Sequence, residues 1–165
     1  MKHKYVLIAL FLFTIVTDQV SKLIIHTKFD LNESVSLIKN ILYLRYIKNP
    51  GIAFGLSFGH PLFMLAVTTI IIIILFILFL KGKIASENEL GKIAMVMILG
   101  GAIGNLIDRI RMKEVIDFID MGLGRYRWPV YNLADTYVTI GMFILIYVVS
   151  FKDSQRNDSI PNASD

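Results

Sequence analysis

Leu62 to Leu80 is a run of 19 residues without a single charge, and water offers such a run nowhere to go. A helix needs about 20 mostly apolar residues to cross the hydrocarbon core of a bilayer, so this segment reads as a membrane span. Three further segments nearly qualify: about Tyr5–His26, Ile93–Arg111 and Asn132–Phe151. Their uncharged stretches are shorter, 13 residues (Tyr5–Thr17), 15 (Ile93–Ile107) and 16 (Thr136–Phe151). Each completes a crossing only by taking in polar residues: Asp18 in the first, Asn105 to Arg109 in the third, Asn132 to Asp135 in the fourth. With 55% of its 165 residues hydrophobic, the chain carries more apolar surface than a soluble domain of this size buries. The expected fold class is an all-α membrane protein with a small β element and four transmembrane helices.

Charge at bilayer depth costs roughly 2.5–3.5 kcal/mol per residue on insertion scales and marks function by default. Successive spans alternate direction, so the ends of the first and third meet the start of the fourth at one membrane face. Helical spacing sharpens the point. Thr14, Asp18, Ser21 and Lys22 share one side of the first helix, Gly101, Asn105, Asp108 and Arg109 one side of the third, and Asn132, Asp135, Thr136 and Thr139 one side of the fourth. Three polar stripes at one depth describe an inward-facing site. Gly100, Gly101 and Gly104 form a small-xxx-small surface on which a neighbouring helix can approach closely.

Between the first two spans, Thr27–His60 is too polar to cross. Ile41–Ile47 is rich in β-branched and aromatic residues and reads as a strand. Asn49-Pro50-Gly51 is a turn signal, after which Ile52–Phe58 is expected to return as a second strand, giving a small sheet on the membrane surface. Between the third and fourth spans lies a β-prone hexamer, Val115–Asp120, and Tyr126 and Trp128 suit the membrane interface. Residues 1–152 form a single domain on this reading, and 153–165 a polar, disordered tail. The N-terminus has the basic and apolar regions of a secretory signal, but Asp18-Gln19 follows and no Ala-x-Ala site is present, so it is expected to stay as the first helix.

Several chemistries fall away. The chain has no cysteine, which excludes disulfides, thiolate metal sites and a cysteine nucleophile. Gly55-Leu56-Ser57-Phe58-Gly59 matches a nucleophile elbow, but none of His3, His26 and His60 stands where that fold places its base. Ser21 and Lys22 are helical neighbours and point apart. Asp18, Asp108, Asp117 and Asp135 could supply oxygen ligands to a hard cation, yet Lys22 and Arg109 compensate them without one, so no metal and no cofactor are expected. Asp108–Arg109 reads most simply as a charge pair at a helix end. A net charge of +4 without a basic run interleaved with aromatics points to anionic lipid headgroups, and no nucleic acid partner is expected.

Asp117 and Asp135 remain. Two carboxylates sharing a semi-apolar site cannot both ionise cheaply, which leaves one as base and one as acid around a water, as in an aspartic protease. A proton or ion pathway uses the same residues. Lys and Arg number 7 on the side of the termini and 10 on the other, so the positive-inside rule does not orient the chain.

Five ordered motifs decide between these readings: Asp18-Gln19-x-Ser21-Lys22, Asn49-x-Gly51-x-Ala53-Phe54-Gly55, Gly100-Gly101-x-x-Gly104-Asn105-x-x-Asp108-Arg109, Val115-x-Asp117-Phe118 and Asn132-x-Ala134-Asp135. Together, from Asp18 to Gly141, the chain resembles the bacterial lipoprotein signal peptidase (signal peptidase II) family. Departures are small: Tyr131 where Phe is usual, and Thr136 where Ser is common. The resemblance implies a monomeric aspartic endopeptidase of the bacterial inner or plasma membrane, with an extracytoplasmic β-cradle, both termini cytoplasmic and the active site at the extracytoplasmic side. It implies Asp117 and Asp135 as catalytic. Asp18, Lys22, Asn49, Gly51, Asn105, Asp108, Arg109, Asn132 and Ala134 are implied as substrate-binding or supporting. The reaction implied is removal of the signal peptide from a prolipoprotein just before its diacylglyceryl-modified cysteine, with membrane lipid as the other partner.

Overall fold

A computed structural model describes residues 2–53, 56–57, 61–82, 84 and 88–157. In chain order the elements are α1 (Lys2–Lys28), β1 (Ser34–Ile38), β2 (Leu42–Asn49), β3 (Ile52–Ala53), β4 (Leu56–Ser57), α2 (Pro61–Leu80), α3 (Glu89–Met112), β5 (Val115–Leu123), β6 (Tyr126–Arg127) and α4 (Leu133–Asn157). All four helices are long and apolar enough to cross a membrane. The molecule is the inverse of a soluble one. Ile70, Ile71, Ile73, Ile74 and Phe76 of α2 face outward, whereas Thr14, Asp18, Lys22, Asn105, Asp108, Asp117 and Asn132 are buried. Lipid solvates the former, and only protein can satisfy the latter.

Small residues make that burial possible. A Cβ on Gly104 would lie 2.5 Å from Asp18 Oδ2, and one on Gly101 would run into the carbonyl oxygen of Ala134. Those two positions seat α3 against α1 and α4 at backbone distance, the close approach that glycine-rich helix faces provide in membranes. α3 begins at Asn88, whose side chain accepts from the Leu90 N–H at 2.8 Å. It ends at Lys113, which adopts a left-handed conformation at φ 61° and donates its N–H to Arg109 O. That turn releases the chain into β5 within two residues.

The sheet has the order β1-β2-β5-β6, with β1–β2, β2–β5 and β5–β6 antiparallel. Here the expected return strand is corrected. The described part of Ile52–Phe58 pairs with itself as β3–β4, because β2 already has β1 on one edge and β5 on the other. β1 was not anticipated at all. The register of β2 on β5 slips between Leu44 and Ile47, pairing Leu44 with Ile119 but Ile47 with Asp117. One extra residue on β2 exchanges its faces, so Ile47 and Asn49, instead of Tyr46 and Lys48, share the face of Asp117. A core of Ile25, Tyr46, Ile116 and Phe118 ties the sheet to the end of α1.

α4 runs on to Asn157, so the backbone stays helical into the segment expected to be a disordered tail from residue 153. The rest of that tail, and Gly55, Phe58 and Gly59 of the elbow motif, lie outside the described residues.

Candidate active site

The site is built in two tiers, and the lower one rests on a buried cation. Lys22 is 2% exposed and Asp18 fully buried. One turn of α1 separates them, and Lys22 Nζ reaches Asp18 Oδ2 at 2.8 Å. The same ammonium meets Asp108 Oδ2 of α3 at 2.9 Å and donates to Asn105 Oδ1 at 2.8 Å. An ammonium has three N–H donors, and all three are used. Gln19 Nε2, also on α1, closes the tier, donating to Asp18 Oδ2 at 3.2 Å, Gly104 O at 3.0 Å and Asp108 Oδ1 at 3.1 Å. Asp108 therefore pairs with Lys22 across helices, correcting the expected Asp108–Arg109 pair. Neighbours in a helix point about 100° apart, and Asp108 is drawn inward to the cation.

Asp18 also reaches the start of α4, where its Oδ1 accepts the Ala134 N–H at 2.9 Å. A helix N-terminus leaves such donors open and carries partial positive charge. The backbone of Ala134 is thus docked on Asp18, its side chain buried beside Gly104.

The upper tier holds Asp117 of β5 and Asp135 of α4, faced by three asparagines. Asn49 Nδ2 donates to Asp117 Oδ2 at 2.8 Å, Asn132 Nδ2 to Asp117 Oδ1 at 2.7 Å, and Asn105 Nδ2 to Asp135 Oδ1 at 2.8 Å. Chemistry fixes which end of each amide points at the carboxylates. Asn49 Oδ1 accepts the Gly51 N–H at 2.9 Å, a tight turn that Gly51 completes at φ 109°, where a side chain would be strained. Asn132 Oδ1 accepts the Asp135 N–H at 3.0 Å. Asn105 Oδ1 faces the Lys22 ammonium, which can only donate. With each carbonyl oxygen committed to a donor, each NH₂ is left for the acids.

Asn132 and Asp135 are also a reciprocal cap: the Asn132 N–H donates to Asp135 Oδ2 at 3.2 Å, so residues at N-cap and N3 satisfy each other's backbone. The segment before α4 is fixed on β5 by Tyr131, whose carbonyl accepts from Phe118 N at 3.0 Å and Ile119 N at 2.7 Å. That pairing brings Asn132 to Asp117.

Burial first, and the neighbouring Asp135 charge second, push Asp117 up to about 7, while the amide donors of Asn49 and Asn132 oppose the rise. Arg109 is half-buried, and its side chain makes no hydrogen bond or ion pair among the described residues, although it feels the charges of Asp135, Asp117 and Asp108. Its fork of donors stays available beside the two acids. Among the described residues, no three acidic or histidine side chains converge as a metal site. A groove of about 410 Å³ opens onto Asp135, lined by Met121, Trp128, Tyr131, Thr136, Thr139 and Ile140.

All eleven residues singled out in the sequence thus fall in one place, Arg109 by charge alone. Gln19 belongs with them and was quoted only as part of a motif. The signal for it is its position beside Asp18 in a stretch that must bury two acids. Tyr131 acts through backbone atoms and leaves no mark in its side chain.

The sequence model for the family described as signal peptidase (SPase) II matches residues 10–151. Among curated proteins, a lipoprotein signal peptidase of Syntrophus aciditrophicus is 37% identical over 145 residues, 85% of this chain and 89% of that protein. One of Desulforapulum autotrophicum is 40% identical over 142 residues, 83% and 86% of the two chains. A bacterial membrane enzyme solved by the in meso method at 2.3 Å resolution superposes with a TM-score of 0.81 at 32% identity, covering 97% of this chain and 94% of that one.

Proposed function

The chain belongs to the signal peptidase II family and processes prolipoproteins as a multi-pass bacterial membrane protein; from that premise we propose that it is an aspartic endopeptidase whose acids are Asp117 and Asp135. The observation that carries this reading is the donor set around them. Among the described residues, the hydrogen bonds to the two acids come from neutral amides alone, and burial beside Asp135 lifts Asp117 to about 7. Such a pair holds one proton near neutrality. The ionised member takes a proton from a water between them, and the resulting hydroxide attacks the scissile carbonyl. The protonated member donates to the carbonyl oxygen. Collapse of the tetrahedral intermediate expels the amine, which takes up the proton gained from water, while the other aspartate recovers its proton from a hydroxyl of the intermediate. Arg109, whose side chain is unpaired among the described residues, offers donors to a substrate carbonyl, and Asn49, Asn105 and Asn132 hold the acids in register.

Substrate geometry agrees with this site. A diacylglyceryl anchor on the cysteine holds the scissile bond at the lipid–water boundary, where β5 and the first turn of α4 meet. The acids lie on the extracytoplasmic side in this reading, with both termini cytoplasmic. The test is cleavage of a lipid-modified precursor by the purified protein in detergent with a chelator present. Release of the signal peptide just before the modified cysteine is expected. No cleavage, or cleavage restored only by added Mg²⁺, overturns the mechanism. Sidedness is checked with single cysteines, which the native chain lacks. Positions Lys39 and Lys113 should react with an impermeant reagent in intact cells and Lys81 should not.

A further inference from the structure

The groove that ends at Asp135 has an outer wall, and that wall is held from behind. Trp128 continues the β5–β6 ladder, donating its N–H to Met121 O at 2.8 Å. Alternation along a strand then puts Arg127 and Trp128 on opposite faces. Trp128 turns with Met121 to the groove, and Arg127 turns with Asp120 to the back. There Arg127 Nε donates to Asp120 Oδ1 at 2.9 Å and Nη2 to the Asp120 carbonyl oxygen at 2.6 Å. Nη2 also stands 2.7 Å from the Asp120 carboxylate. Nη1 donates to Asn40 O at 3.4 Å, and the guanidinium stacks 4.9 Å from the Tyr43 ring centroid. Asp120 is buried. One side chain therefore ties β5, β6 and the β1–β2 turn together. Among the described residues, neither the Arg127 nor the Asp120 side chain hydrogen-bonds to Asp117, Asp135 or the three asparagines facing them.

The opposite wall is α4, where Asp135, Thr136, Thr139 and Ile140 descend one turn of a single helix face into the membrane. A groove of about 410 Å³ has room for no more than about one turn of a signal helix about 10–12 Å across. A single hydrocarbon chain fits it.

Resting on the reading of this chain as a peptidase for lipid-modified precursors, we infer that Arg127, clamped on Asp120 and Tyr43, is a positioning residue. It sets where Trp128 stands, and so fixes the wall against which an acyl chain of the substrate lies. The experiment compares precursors bearing long and short acyl chains on the cysteine, using purified protein in detergent. Arg127→Met keeps the apolar stem and loses the fork. It should leave kcat within about twofold and raise KM for the long-chain precursor about tenfold, the scale of a lost apolar contact, with little change for the short-chain one. Arg127→Lys keeps the charge without the fork and should behave alike. Trp128 is the only tryptophan in the chain, so its emission and quenching by acrylamide report the wall directly, and both should shift. Should Arg127→Met fail to fold, Asp120→Asn loosens the clasp from its other end and should give the same split. Equal loss of kcat on both substrates at unchanged KM, or an unmoved Trp128 signal, overturns the inference. Wild-type protein that cleaves without any chain-length preference also overturns it while sparing the peptidase reading. No cleavage at all overturns both.

Discussion

Asp18 and Asp108 are as deeply set as Asp117, yet the two pairs of acids face different company. Lys22 stands between Asp18 and Asp108 at 2.8 and 2.9 Å, so both carboxylates share one counter-charge. Among the described residues, Asp117 and Asp135 receive amide N–H groups and no cation within ion-pair distance. A buried ion pair stays ionised because each partner is the other's solvent. A buried carboxylate beside another, supplied only with neutral donors, keeps a proton instead. One residue type thus serves as scaffold in one tier and, in the proposed mechanism, as reagent in the other, and the difference lies in one lysine.

Changing the acids themselves should break that contrast most sharply. Asp117→Asn or Asp135→Asn should each lower kcat on the order of 10⁴-fold, and the double variant should be little worse, since groups acting as a unit are non-additive. Single-turnover cleavage of a lipid-modified precursor measures this. Near-normal rates in a folded Asp117→Asn protein would sink the two-acid mechanism.

Removing the lysine should act on the scaffold. Lys22→Met leaves Asp18 and Asp108 buried without a counter-charge, at a cost of about 3–5 kcal/mol. Thermal unfolding in detergent should show a large drop in midpoint, and Asp108→Asn alone a smaller one because Lys22 keeps Asp18. An unchanged midpoint for Lys22→Met would show that the lower tier is not held by charge.

Between these extremes lie the amides. Asn105→Ala and Asn132→Ala each delete a hydrogen bond to a charged group, worth about 1.5–3 kcal/mol, or about 10- to 150-fold in rate. Activity should be weakened and measurable, with Asn132→Ala also losing helix stability as a cap, about 1 kcal/mol. Wild-type rates in both variants would dissolve the upper tier as a unit.

The smallest effect is a slope. Folding holds the Asp117 proton more tightly than the unfolded chain does, since its pKa rises from 3.8 to about 7. Between those values the native state binds more protons, so stability falls as pH rises through the window and the full cost stands above about 7. Relative to Asp117→Asn, the wild-type unfolding midpoint should therefore decline steadily from pH 4 to pH 8. The rate profile should be bell-shaped, its two apparent values belonging to the pair. Parallel midpoints across that range would mean Asp117 is not perturbed.

Whatever repeats or alternates could be read from the chain alone. Four apolar runs gave four helices, and polar stripes at helical spacing brought Asp18, Asn105 and Asn132 to one depth. Asn49 was harder to place from residues, because a single slip between Leu44 and Ile47 decides which face it occupies. The partner of β2 was missed for a related reason. A strand's edges are filled by whichever segments fold onto them, and Asn49-Pro50-Gly51 signals a turn without naming the strand that will lie beside β2. β1 escaped because Ser34-Val35-Ser36-Leu37 is short and exposed on every residue. The Asp108–Lys22 pair lay 86 positions apart in sequence, where local spacing favoured Arg109 instead.

The cap that opens α4 has a dynamic consequence. Helix ends are where proteins fray, opening at little cost and exchanging their amide hydrogens early. Here the first turn cannot fray without dismantling the upper tier, because Asp135 is at once its N3 residue and one of the two acids. The amides of Ala134 and Asp135, held by Asp18 and Asn132, should exchange as slowly as those in the middle of the bundle. Losing the acid pair and losing the helix start are then one event.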